Sequence, residues 1–160
     1  MRFNEFLDKH KDKICERYFE PVVKAKSKKE LADLMDINVC DWLAKTDVEC
    51  GDVGEMVSEN FGNYINGKFV NQNEGYTTSI HCGQKDEYIV AGSDIMLFID
   101  CDVELVVRKY MVNRIFCSRS KIRVRLDERA KLVVDKYGGL NDVKVVSFGE
   151  GSSVSERFSV

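Results

Sequence analysis

Residues 120–158 read SKIRVRLDERAKLVVDKYGGLNDVKVVSFGEGSSVSERF, and this stretch decides the fold class. Short runs in which apolar and polar residues alternate are separated by turn residues such as glycine and asparagine. This alternation predicts β-strands, because successive side chains of a strand point to opposite faces. Ile122, Leu132, Val143 and Val154 mark four successive strands at intervals of 10, 11 and 11 residues.

The same two-residue rhythm extends back towards Gly67, where β-branched and aromatic residues become frequent. We therefore expect an all-β segment over residues 69–160. The predicted strands are Tyr76 to Cys82, Glu87 to Val90, Ile95 to Ile99, Val103 to Val107, Arg114 to Cys117, Lys121 to Leu126, Lys131 to Val134, Val143 to Val146 and Val154 to Phe158.

Before Gly67 the apolar residues recur at steps of three and four, which is typical of amphipathic helices. A first helix starts near Phe3 and is expected to break at Pro21, because proline lacks an N–H group and clashes with the preceding turn. Ser27 with Glu30 fits a capping box that opens a second helix. The sequence predicts three to four helices over residues 1–68.

The last helix is expected to begin near Asp52, where Asp52 and Glu55 repeat the capping pattern. Its apolar stripe runs to Ile65, and Asn66-Gly67 is a natural left-handed cap. The predicted fold class is α+β, with a helical segment (1–68) followed by an all-β domain (69–160). The strand spacing admits a short β-solenoid or β-roll, which we favour, and a β-sandwich as the alternative.

The fragments SKIRV, AKLVV, NDVKVV and SSVSE within residues 118–158 resemble the degenerate coils of bacterial and phage β-solenoid proteins, including bactofilin-like ones. The resemblance implies a stack of coils in which each strand pairs with the equivalent strand of the next coil. A small structural protein of a phage or mobile element would suit it.

Composition places the chain among folded globular proteins, with 44% hydrophobic and 32% charged residues in 160. Neither a signal peptide nor an apolar run long enough to span a membrane is present in the sequence, so we expect a soluble, cytoplasmic protein without membrane contact. The six cysteines are spaced irregularly and are expected to be reduced and mostly buried.

No recognisable catalytic motif is present, and we expect no enzymatic activity, no cofactor and no metal site. His81-Cys82 is the one adjacent pair of typical catalytic residue types. As strand neighbours these two side chains point to opposite faces, so they make a poor thiolate–imidazole pair. Cysteines with the close spacing of a zinc site are absent from the sequence.

Charge is strongly polarised along the chain. Residues 108–131 contain nine basic and two acidic residues, a net charge of +7. The rest of the chain carries a net charge of −10, which gives −3 for the whole chain. Lys121, Arg123 and Arg125 alternate with aliphatic residues and are expected to project from one strand face. The predicted basic face consists of Arg108, Arg114, Arg119, Lys121, Arg123, Arg125 and Lys131.

This face suggests a non-enzymatic structural or protein-interaction module that self-associates into a homo-oligomer or binds an acidic protein surface. Carboxylates on flanking strands, such as Glu104 or Asp135, could instead neutralise the cations internally. The alternative is a nucleic-acid-binding regulator that uses residues 108–131. Nucleic acid is the less favoured partner because few exposed aromatic residues flank the cations.

Overall fold

A computed structural model of the chain describes residues 3–10, 12, 20–21, 23–27, 30, 37–45, 48–60, 62, 64–73 and 75–159. Three helices are described: α1 (Phe3–His10), α2 (Ile37–Lys45) and α3 (Cys50–Asn60). Ten strands follow: β1 (Lys68–Asn73), β2 (Tyr76–Cys82), β3 (Lys85–Val90), β4 (Ile95–Ile99), β5 (Asp102–Val107), β6 (Val112–Ser118), β7 (Lys121–Leu126), β8 (Lys131–Tyr137), β9 (Asp142–Phe148) and β10 (Ser153–Ser159).

The strands alternate between two facing sheets. The six-stranded sheet has the order β1-β2-β4-β6-β8-β10, and the four-stranded sheet has the order β3-β5-β7-β9. All neighbouring strands are parallel except β1 and β2, which form an antiparallel pair. Each coil thus contributes one strand to each sheet, and the chain forms a β-solenoid of about four turns.

Successive coils differ in length. Along the six-stranded sheet the paired residues Thr78, Ile95, Arg114, Val133 and Ser155 give coils of 17, 19, 19 and 22 residues. Two strands per coil account for the spacing of 10 to 11 residues between strands in the sequence. The prediction of a solenoid is confirmed, and the sandwich alternative is wrong because the strands pair in parallel between coils and not through hairpins.

The space between the two sheets is filled by aliphatic and aromatic side chains. Met96 and Phe98 of β4 face Leu105 of β5 and Val124 of β7, and all four are at most 2% exposed. Because side chains alternate along a strand, Leu97 and Ile99 point to the opposite face of the six-stranded sheet. That sheet therefore needs cover on both of its faces.

The helices provide the second cover. Phe6 of α1, Leu43 of α2 and Met56 of α3 are fully buried against a cluster that contains Leu97 and Phe116 of the sheet. The predicted helical segment (1–68) is therefore not a helical N-terminal domain, because the described helices share their core with the sheet instead of packing around a core of their own. Among the described residues, no helix combines the length and apolar character that a membrane span requires.

The capping box predicted at Ser27 and Glu30 falls on described residues. The Glu30 N–H donates to Ser27 Oγ at 3.1 Å, as a capping box requires. The Glu30 carboxylate, however, accepts from the N–H of Lys26 at 2.6 Å, one residue before the predicted cap, so the structure differs from the prediction in this second bond. Most of the helix that was expected to follow lies outside the described residues.

The last helix ends at Asn60 and not at Ile65, so the predicted cap at Asn66-Gly67 is wrong. Asn66 and Gly67 have φ angles of 51° and 76° and form a two-residue turn, in which Ile65 and Lys68 exchange both backbone hydrogen bonds. Asn-Gly is preferred in such turns because both residues tolerate positive φ. The turn leads directly into β1, a strand that the sequence analysis did not predict.

The coil corners that follow the strands of the six-stranded sheet form a column of left-handed residues. The φ angles are 66° at Gly83, 52° at Asp100, 48° at Arg119 and 77° at Gly138. The residue just before each of these four is paired with the corresponding residue of the neighbouring coil, so the four corners lie one above the other. This conformation costs a non-glycine residue roughly 1–2 kcal/mol. Asp100 and Arg119 carry that cost and contact each other.

Backbones approach each other closely at the corner between β9 and β10. A Cβ atom on Gly149 would lie 2.3 Å from the Asp127 carbonyl carbon and 2.4 Å from the Glu128 nitrogen of the coil below. A Cβ atom on Gly139, in the corner between β8 and β9, would have no atom within 4 Å. The two glycines therefore form a matched pair for testing how closely the coils stack.

We predict that Gly149→Ala lowers the free energy of unfolding by about 2 kcal/mol or more, because backbone atoms must shift to admit the methyl group. Gly139→Ala, the control, should change it by less than about 0.5 kcal/mol. Equilibrium denaturant unfolding of both variants measures the difference. Equal effects of the two substitutions would contradict the observed stacking of the corners.

Candidate functional site

The structure distributes the seven predicted basic-face residues over several surfaces. Lys121, Arg123 and Arg125 of β7 project from the outer face of the four-stranded sheet, as the alternation predicts, while Ile122, Val124 and Leu126 are buried beneath them. Arg114 and Lys131 project from the helix-facing side of the other sheet, and Arg108 and Arg119 lie in coil corners. The seven residues do not share one face.

On the outer face of the four-stranded sheet, the arginines of β7 are paired with carboxylates of β5. Arg123 Nη1 lies 2.8 Å from Asp102 Oδ1, and Arg125 Nε donates to Glu104 Oε1. The hydrogen bond from Arg123 lowers the pKa of Asp102 below its usual value. Lys121 is exposed and its Cα is aligned with those of Asp102 and Asp142.

Two further arginines are paired within the chain at less exposed positions. Arg114 Nε donates to Asp135 at 2.8 Å, and the Asp135 carboxylate is only 5% exposed. Arg119 makes two hydrogen bonds to Asp100, at 2.7 and 3.0 Å, and its Nη2 also donates to the Val48 carbonyl at 2.8 Å. Four of the seven basic side chains thus contact carboxylates of their own chain.

The Asp100–Arg119 pair is a clamp between the solenoid and the helical layer. It joins two successive corners of the solenoid, and the bond to Val48 holds the segment that leads into α3. Hydrogen bonds from Arg119 lower the pKa of Asp100. Cys50, the first residue of α3, places its thiol 3.4 Å from Asp100 Oδ2. These contacts connect elements of the fold: two solenoid corners and the segment that leads into α3.

His81 occupies the opposite face of β2 from Cys82, as the sequence analysis predicted. It is 1% exposed and stacks on Phe98 with ring centroids 4.8 Å apart. Its Nδ1 lies 2.9 Å from Gln84 Oε1 and its Nε2 lies 3.0 Å from Ser79 Oγ. Because Oε1 carries no hydrogen, Nδ1 donates to it, and the neutral ring accepts the Ser79 hydroxyl at Nε2.

The hydrogen bonds that join Ser79, His81 and Gln84 resemble those of a serine–histidine pair in an acyl-transfer enzyme, but this serine is not accessible to a substrate. Ser79 is itself only 1% exposed, so a substrate carbonyl has no route to its hydroxyl oxygen. A shallow pocket of about 420 Å³ lies nearby and is lined by Ile65, Asn66, Lys68, Val70 and Gln84. Among the described residues, no cluster of His, Cys, Asp or Glu side chains is suited to hold a metal ion.

The C-terminal end of the solenoid is formed by two edge strands, as the other end is by β1 and β3. β9 and β10 each pair on one side only, with β7 and β8, and no described strand lies along their other edges. Val146 is 52% exposed and Phe148 is 62% exposed, both on β9. Unpaired edges with exposed apolar side chains are templates for pairing with another strand. We define residues 142–148 and 153–159 as the open end.

The backbone groups at the open end can be assigned from the bonds that the strands already make. The Ser153 N–H donates to Ala130 and the Asp142 N–H donates to Ser120, both towards the preceding coil. Successive N–H groups of a strand point to opposite edges. Val154 and Glu156 of β10, and Val143 and Val145 of β9, therefore direct their N–H groups to the free edges.

No protein-family model, no curated protein and no solved structure matches this chain. The geometry of the site therefore carries the functional argument by itself. The sequence analysis predicted cations on a strand face, but it did not identify the open end, because a strand edge leaves no signal in a single sequence. The Asp100–Arg119 clamp could have been found from the repeat, since the two residues are 19 positions apart, one coil length.

We predict that stability falls as the pH is lowered from about 6.5 to 4, because burial lowers the pKa of His81 to about 4. The unfolded chain, with a histidine pKa near 6.5, binds the proton more strongly throughout this window, and the full difference is about 3 kcal/mol. Acidic groups with lowered pKa values, such as Asp100, lose their contribution only at still lower pH. Denaturant unfolding at pH 7 and pH 4.5 measures the effect.

The chain contains only two histidines, which supplies the control. His81→Gln should remove most of the loss between pH 7 and 4.5, whereas His10→Gln should retain it. An unchanged pH dependence in His81→Gln would show that the buried ring does not cause it.

The paired arginines of β7 lead to a separate prediction. Arg123→Glu with Arg125→Glu places like charges opposite Asp102 and Glu104, and this should lower the midpoint of thermal unfolding. Adding Asp102→Arg and Glu104→Arg exchanges the charges of both pairs and should restore the midpoint. If the charge exchange fails to restore the midpoint, the pairs with Asp102 and Glu104 do not account for the loss of stability.

Proposed function

We propose that this chain is a non-enzymatic structural or protein-interaction module that joins its partner by β-strand pairing at the open end of the solenoid. The observation that carries the proposal is the pair of unpaired strand edges on β9 and β10. A solenoid needs cover at its ends, because otherwise backbone donors and core residues remain exposed. A partner strand supplies the missing hydrogen bonds and covers the apolar side chains.

At the other end of the solenoid, the edge strands β1 and β3 also expose apolar side chains, among them Val70, Tyr88 and Val90, but β3 carries features that hinder pairing. β1 covers the edge of β2 in the six-stranded sheet. In the four-stranded sheet the edge strand β3 begins with Lys85, Asp86 and Glu87, and its pairing shifts register at Asp86. Charged residues and bulges are typical means of protecting an edge strand from unwanted pairing. These features support the C-terminal end as the interaction site.

Docking of an acidic partner on the basic residues has less support. Arg123, Arg125, Arg114 and Arg119 contact carboxylates of the chain itself, so an acidic partner would have to displace those bonds. The same consideration applies to nucleic acid, which requires a row of free cations on one face. Arg123→Glu with Arg125→Glu should therefore leave association unchanged under the strand-pairing proposal.

The experiment that tests the proposal compares Glu156→Pro with Glu156→Ala. The proline removes an N–H group that points to the free edge, and leaves the bonds between β10 and β8 in place. Both variants lose the ion pair between Glu156 and Lys136, so the alanine variant is a matched control. Sedimentation equilibrium over a range of concentrations measures association.

Glu156→Pro is expected to weaken association about tenfold or more relative to Glu156→Ala, since each lost hydrogen bond contributes about 1 kcal/mol and a symmetric interface loses it twice. Circular dichroism confirms that both variants retain the fold. Equal association of the two variants would contradict strand pairing at the edge of β10.

A further inference from the structure

At the open end, the six-stranded sheet extends one strand further than the four-stranded sheet. The six-stranded sheet terminates in β10, which belongs to the fifth coil, whereas the four-stranded sheet terminates in β9, which belongs to the fourth. The core-facing side of β10, with Val154 and Glu156, therefore has no described strand opposite it. The end of the solenoid has the shape of a step that is one strand deep.

A step of this kind is complementary to itself. A two-fold rotation about an axis parallel to the strands generates the second copy. It places the six-stranded sheet of each copy in line with the four-stranded sheet of the other. It places β10 of one copy beside β9 of the other, and β9 beside β10. Because β9 and β10 run in opposite directions and the rotation preserves strand direction, both new pairs are antiparallel. Each strand then fills the space that the other copy leaves empty.

The backbone and side chains agree with this pairing. Val143 and Val145 of β9 face the core and direct their N–H groups to the free edge, and so do Val154 and Glu156 of β10. In an antiparallel hydrogen-bonded pair, the two opposed residues exchange both backbone bonds and have their side chains on the same face. Val145 can therefore pair with Val154 of the second copy, which continues the core across the junction.

Charges favour the same register. When Val145 lies opposite Val154, Asp142 lies opposite Arg157 of the second copy, and both side chains project outward. Arg157 is exposed, and the Asp142 carboxylate lies 3.6 Å from Lys144 Nζ. Opposite charges directly across a strand pair are stabilising. Glu156 enters the junction with its own partner, Lys136 Nζ at 3.2 Å, so its carboxylate is not left without a counter-charge.

We infer that the partner at the open end is a second copy of this chain, joined tail to tail by two antiparallel β9–β10 pairs in a closed two-fold dimer. This inference rests on the proposed function and specifies its partner. The dimer continues both sheets and leaves the β3 edges, with their charges and register shift, at its two outer ends. Closed two-fold association is also the commonest symmetry of soluble homo-oligomers.

Cysteine cross-linking tests the arrangement directly. In the register described, Lys144 lies opposite Ser155 of the second copy, on the outer surface, as a pair without hydrogen bonds whose Cα atoms are about 4.5 Å apart. That separation suits a disulfide. Both side chains are exposed, so Lys144→Cys and Ser155→Cys leave the core intact. The protein with both substitutions is oxidised mildly and examined on a non-reducing gel.

We expect a covalent dimer from Lys144→Cys with Ser155→Cys, and at least tenfold slower cross-linking from the control pair Lys144→Cys with Ser153→Cys, which lies two residues out of register. Each single substitution should give only the small amount of covalent dimer that the native cysteines produce. A ladder of higher multimers would mean open head-to-tail association and would overturn the two-fold dimer.

The outcomes separate the inference from the proposed function. If association depends on the Glu156 N–H but the Lys144–Ser155 pair gives no covalent dimer, the two-fold arrangement is wrong and strand pairing stands. If wild-type protein is monomeric at every concentration, so that a copy of the chain does not bind the open end, the inference fails. Binding of a different protein to the open end would then be the remaining form of the proposed function.

Discussion

The structure depends on one constraint: the six-stranded sheet must be covered on both faces. Its strand β4 contains five apolar residues in succession, so no orientation of the strand can place its apolar side chains on one face only. The four-stranded sheet covers one face, where Phe98 is buried, and the helices cover the other, where Leu97 belongs to the same buried cluster as Leu43 and Met56. The helices are therefore a layer of the fold and not an appended domain.

Electrostatic contacts fix the layers to one another. Arg119 connects two solenoid corners and the segment before α3 through Asp100 and the Val48 carbonyl, and it does so from a left-handed backbone position. On the exposed face of the other sheet, Arg123 pairs with Asp102 of the preceding coil. Arg119, Arg123 and Arg125 each pair with a carboxylate of the preceding coil, and Arg114 pairs with Asp135 of the following one.

The sequence predicts most of the strands, because side-chain alternation is a local signal, but the strand spacing admits both a solenoid and a sandwich. The parallel pairing between coils decides for the solenoid, and that pairing is not a local signal. Strand β1 escaped prediction because FVNQN lacks alternation strong enough to separate it from a loop, and its pairing depends on the Asn66-Gly67 turn. The ion pairs of Arg123 and Arg125 could be anticipated only as a possibility, since they require the register between coils. The open end is a property of the assembled sheets, and no single residue indicates it.

Amide hydrogen exchange at the open end tests the account most directly. In a monomer, Val143, Val145, Val154 and Glu156 direct their N–H groups to edges along which no described strand lies, whereas the Ser153 N–H is bonded to Ala130. If the open end pairs with a second copy, exchange of the four amides slows as the protein concentration rises through the association range, while Ser153 is protected throughout. Fast exchange of the four amides at concentrations where the protein is fully associated would contradict it.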